Sequence, residues 1–113
     1  MNNEEFNGLA NIIAEYLAMQ KVFIQNPLRM KEVNDATEMA CKLFPEANIT
    51  LEDDPMQMGA VFLCIEDFDI TVRETKEFAE IIRKADNFEI FPTDEENIRI
   101  SIMFDNALTR IAP

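Results

Sequence analysis

Carboxylates are the one abundant reactive group in this chain: among its 113 residues, 22 are Asp or Glu and none is His. Without histidine it lacks the commonest general base, the usual partner of a serine or cysteine nucleophile and the commonest metal ligand. The lone serine, Ser101, falls inside an alternating apolar stretch with no base near it in sequence, a poor setting for a nucleophile. Gly8 and Gly59 are isolated from one another, so neither a dinucleotide loop nor a phosphate loop can be built. Outside the turns, the densest acids are Glu66, Asp67 and Asp69. Read as a calcium loop from Asp67, they put Asp69 at the third position, but Val72 replaces the turn glycine and Phe78 the closing glutamate. Cys41 and Cys64 are too far apart for a CxxC motif and are expected in core elements as structural thiols. No catalytic residue, metal-ligand set or cofactor is assigned.

The charge constrains partners. Ten basic side chains leave a formal net charge of -12. Residues 1–45 carry a net of -2 and residues 46–113 a net of -10. Such a field repels phosphate backbones and anionic lipid surfaces, and no basic patch is segregated from it, so direct nucleic-acid binding is not expected. No run reaches the ~20 apolar residues of a membrane span, and the start Met-Asn-Asn-Glu-Glu is unlike a signal peptide. A cytoplasmic location without membrane attachment is expected.

These residues must be positioned by one domain over 1–113, since the length suits one hydrophobic core. Asn2 or Asn3 can cap a helix running from Glu4 to about Gln25, and Asn26-Pro27 both ends it and starts a second helix over Leu28 to Leu43. The second helix has an inward stripe of Met30, Val33, Thr37, Ala40 and Phe44. Period-two alternation at Ile49 and Leu51, an acidic turn at Glu52–Pro55 and the apolar run Gly59–Ile65 predict a hairpin. Thr71-Val72-Arg73-Glu74 is a capping box for a third helix, whose inward stripe would be Val72, Thr75, Phe78, Ala79, Ile82 and Ala85. A second hairpin joins Phe88–Phe91 to Ile98–Phe104, and a short helix is expected near Asn106–Ile111. The fold class is α+β: two N-terminal helices, β-hairpin, helix, β-hairpin, in the order ααββαββ, with the helices on one face of an antiparallel sheet.

The first helix carries more apolar surface than one docking face requires. Phe6, Ala10, Ile13, Leu17 and Ile24 form one seam, and Leu9, Ile12, Tyr16, Met19 and Phe23 form a second beside it. Together they exceed the ~100° stripe that packs a helix on one surface. If the first seam docks on the domain, the second meets a partner, and residues 1–26 would then support a homodimer or contact with another protein. Packing of both seams within the chain is the alternative. Met56 and Met58, in the first hairpin turn, would add flexible thioethers to a contact surface.

Asp53–Ala60, Phe68–Glu74 and Ala85–Ile90 resemble segments of uncharacterised small proteins of Gram-positive mobile elements, a resemblance that implies no activity and no site residues. The element order is also similar to the type III secretion chaperone-like fold, which implies dimers that bind peptide segments, although the long first helix departs from it. Three functions stay open. The leading one is a non-enzymatic protein-binding or adaptor protein. An acidic mimic of nucleic acid that occupies a DNA-binding protein is the second, and a carboxylate- or metal-dependent enzyme around Glu66, Asp67 and Asp69 is the third.

Overall fold

A computed structural model describes residues 3–18, 23–54, 59–67, 72–94 and 97–110. Its elements are α1 (Asn3–Ala18), β1 (Phe23–Gln25), α2 (Pro27–Leu43), β2 (Asn48–Asp53), β3 (Val61–Glu66), α3 (Val72–Arg83), β4 (Asn87–Pro92), β5 (Ile98–Phe104) and β6 (Leu108–Arg110). This is an α+β chain with antiparallel sheets, and no described helix is long and apolar enough to cross a membrane.

The second helix starts as its sequence dictates. Asn26 caps it, its side chain accepting from the Arg29 N–H at 3.4 Å, and Pro27 fills the first position, where no N–H is needed. The inward stripe Met30, Val33, Thr37, Ala40 and Phe44 is buried, joined by Ala36. The buried Thr37 hydroxyl donates to the Val33 carbonyl at 2.8 Å, which satisfies a polar group that would otherwise be costly in the core. In α3 the inward line is Phe78 and Ile81, flanked by half-buried Ile82, and Ala85 just beyond the helix is half-buried as well. Thr75, expected in that stripe, is exposed. Ile81 takes the inward position because it lies three residues beyond Phe78, on the same helix face.

A four-stranded sheet has the order β2-β3-β5-β4. Its register puts Leu51 opposite Leu63 and Leu63 opposite Ile102, with Ile49, Ile65 and Ile100 in the next row. Directly paired residues share a face, so these rows make one continuous apolar surface. The helices pack on it: Tyr16, Val33, Ala40, Phe44, Phe78 and Ile81 belong to the same core cluster as these two rows of strand residues. Phe44 and Phe78 meet edge to face at 5.7 Å, fixing α2 against α3.

Two expectations are corrected at the chain's extremities. The first helix does not continue to Gln25; Phe23–Gln25 is a strand, and the expected C-terminal helix is replaced, over its described part, by β6. These segments pair with each other, Phe23 with Arg110 and Gln25 with Leu108. The observed order is therefore αβαββαβββ. A bond from the Asn26 N–H to the Ala107 carbonyl at 2.8 Å extends the contact into the start of α2. Helical spacing at Phe23 and Ile24 was a local signal, overridden by a pairing partner at the other end of the sequence.

Candidate binding surfaces

On the first helix, Tyr16 is 1% exposed and Ile12 packs half-buried against the core, as does Phe23 from β1. Leu9 is also half-buried; of the other seam Ile13 packs half-buried against the core, whereas Phe6, Leu17 and Ile24 are exposed. The seam expected to face a partner is thus the one turned toward the domain. α1 lies beside α2 and β2, and the seam ending in Tyr16 reaches the Asp53 carboxylate. The Tyr16 hydroxyl donates to Asp53 Oδ1 at 3.2 Å. Burial, with the neighbouring Asp53 charge, pushes the Tyr16 phenol well above its ordinary value. Met19, Met56 and Met58 lie outside the described residues.

Leu9 and Ile12 also line a cleft of about 520 Å³ between α1 and the junction of α2 with β2. Phe44 and Ile49 contribute apolar walls, and Glu4 and Glu5 stand at its rim. Cys41 opens into the same cleft; burial, then the Glu5 and Glu38 carboxylates, push its thiol up, so it stays protonated near neutral pH.

The sheet face away from the helices carries a polar cluster that sequence spacing did not reveal. Arg99 of β5 holds Glu52 at 2.6 Å and Glu66 at 3.1 Å, and its guanidinium lies 5.8 Å from the Phe91 ring centre. The Cys64 sulfur sits 3.5 Å from Glu52 Oε2 and 3.7 Å from Ser101 Oγ. Burial pushes the Cys64 thiol up, against a partial downward pull from hydrogen bonds with Arg99 and Ser101. The protonated thiol and ion-paired carboxylates arrange a strand-crossing tie; they do not present an activated nucleophile. Glu66 is engaged in this tie, Asp67 follows it with φ 57°, and Asp69 lies outside the described residues.

The largest departure from a covered sheet is at β4. Phe88 pairs with Ile102 and Ile90 with Ile100, so both side chains lie on the helix-bearing face. Yet Ile102 is 0% exposed while Phe88 is 43% and Ile90 56% exposed. Ile98, opposite Pro92 on the same face, is 45% exposed. The helices cover β2, β3 and β5 and leave this end of the apolar face open. Phe91, on the other face, is 39% exposed. Alternation puts Ile98 on one face with Ile100, Ile102 and Phe104 but does not say whether that end is covered; Pro92 at the end of β4 was the available sign of an edge strand.

The outer margin of β4 is partly closed. The Thr93 N–H donates to the Asn97 carbonyl at 3.1 Å, which fixes the alternation so that odd-numbered residues bond to β5 and Phe88, Ile90 and Pro92 direct their main-chain groups outward. The Phe88 N–H is taken by Asn87 Oδ1 at 2.9 Å, and Pro92 has none. Ile90 therefore carries the one outward main-chain N–H of β4 without a partner among the described residues.

The chain matches no family model, no curated protein and no solved structure.

Proposed function

We propose that this chain is a non-enzymatic protein-binding module whose contact surface is the uncovered apolar end of the sheet at β4. The observation that carries this reading is the row Phe88, Ile90 and Ile98, which continues the core face of the sheet into solvent. A contiguous apolar patch on an otherwise strongly charged surface is a feature of interaction sites, and an open strand edge adds to it. The partner in this reading is another protein; two copies, each of net charge -12, repel one another at long range.

The test is capture from the native host by wild-type protein and by Phe88→Ser plus Ile90→Ser, compared quantitatively by mass spectrometry. Both side chains are about half exposed, so the variant should keep its circular dichroism spectrum and melting temperature. Proteins retained by wild type and lost by the variant support the reading. An identical set on both baits refutes it. Part of the affinity should persist in elevated salt, because the apolar contribution, at ~25 cal/mol per Å² buried, is insensitive to screening. Elution at moderate salt from both baits would favour the charge-mimic alternative.

A further inference from the structure

We propose that the partner segment binds as an added antiparallel strand on β4, and that it is extended, cationic and apolar at alternate positions. This rests on the reading of β4 as the contact surface and goes further by naming the mode and chemistry of the ligand. Three observations converge on it. β4 ends the sheet order, so one of its margins has no neighbouring strand among the described residues. That margin offers the Ile90 N–H and C=O in its centre, while Asn87 and Pro92 bound it on either side. Strand addition is the interaction that fits such groups, main-chain bonds supplying attachment and alternate side chains supplying selectivity.

The two faces of the incoming strand are then specified. Residues opposite Phe88 and Ile90 fall on the helix-bearing face and extend its exposed apolar row. Residues between them fall on the other face, beside Glu89, which has no ion-pair partner among the described residues. From Ala85 to Asn97 the chain holds five acids and no base, and of these acids Asp86 is paired with Arg29 of α2. That balance selects alternating lysine or arginine in the ligand and disfavours a second copy of β4, which carries the same acids. Sequence-tolerant main-chain pairing is thereby combined with a charge filter.

The test uses the whole chain, isotope-labelled for amide exchange, and a blocked peptide of alternating valine and lysine. The peptide should bind saturably and slow exchange of the Ile90 amide by about tenfold or more as that N–H becomes bonded. A valine–glutamate peptide should bind about tenfold more weakly or not at all. The valine–lysine peptide N-methylated at its valines, which in this register face β4, should lose about tenfold in affinity. Absence of binding by the valine–lysine peptide overturns the inference, as does equal binding by the glutamate peptide. Binding with an unchanged Ile90 amide and no N-methyl effect removes the added strand but leaves the apolar surface standing, provided Phe88→Ser plus Ile90→Ser weakens it. An Ile90 amide already protected in a dimer without peptide assigns the edge to a second copy and overturns the cationic ligand.

Discussion

Tyr16 places a polar atom where the first helix meets the sheet margin, and its hydrogen bond to Asp53 has a pH signature. The folded phenol holds its proton more tightly than an unfolded one, because burial and the Asp53 charge both oppose ionisation. Its contribution is therefore complete below the ordinary tyrosine value of about pH 10 and is lost as the pH rises beyond it. The thiols of Cys41 and Cys64 are shifted in the same sense, so alkali should act on all three. Tyr16→Phe is expected to cost about 1 kcal/mol at neutral pH through the lost hydrogen bond, and to flatten the fall in stability at alkaline pH. Urea midpoints at neutral and alkaline pH measure both; a variant that declines as steeply as wild type would show that Tyr16 is not responsible. Tyr16 was legible in the sequence as an apolar-seam residue, but its inward direction was not. Two adjacent helical seams are equivalent until the neighbouring sheet selects one of them.

At the level of elements, one arginine joins three segments. Arg29, at the start of α2, donates to the Asp105 carbonyl at 3.0 Å and the Lys84 carbonyl at 3.0 Å, and it also pairs with the Asp86 carboxylate. Its guanidinium lies 5.2 Å from the Phe104 ring centre. The Asp86 carboxylate accepts in turn from the Asp105 N–H at 2.8 Å. Arg29→Met should lower stability by about 2–3 kcal/mol, since charge-assisted bonds are lost and carbonyls are left unpaired. Arg29→Lys should recover little, because an ammonium lacks the planar set of donors that reaches all three acceptors. Denaturant melts decide this; full rescue by lysine would mean that charge alone matters. Gly59 has a comparable role at the other joint. It has φ 89°, and a Cβ there would sit 2.4 Å from the Leu108 carbonyl oxygen. Gly59→Ala should therefore cost about 2 kcal/mol or more, from left-handed strain plus backbone displacement. The second helix, with its Asn-Pro start, and both hairpins could be read from local patterns. The β1–β6 pair could not, because no periodicity in Phe23–Gln25 reports a partner in Leu108–Arg110. The β4 surface was missed for a related reason: alternation identifies a strand's apolar side but not whether a helix reaches far enough to cover it.

For the whole molecule, charge and topology set opposite tendencies. The formal charge of -12 destabilises any compact state by self-repulsion, and the antiparallel pairing of β3 with β5 sends the β2–β3 and β4–β5 turns to opposite ends of the sheet. The two acidic turns are thereby kept apart. Melting temperature should rise as sodium chloride is added up to about 0.3 M, where screening shortens to a few ångströms; a fall would show that attractive ion pairs such as Arg99 with Glu52 and Glu66 dominate. The pairing of β1 with β6 bears on the order of events in folding. The Asn26 side chain bonds to Asn106 across 80 residues of sequence, so on a ribosome the N-terminal strand must wait, unpaired, until nearly the whole described chain has emerged. Such a closure belongs late on the folding route, after the local hairpins. Leu108→Ala should consequently accelerate unfolding while leaving the refolding rate nearly unchanged, and the first helix, held to the rest partly through this last contact, would be the segment most often released from an otherwise intact molecule.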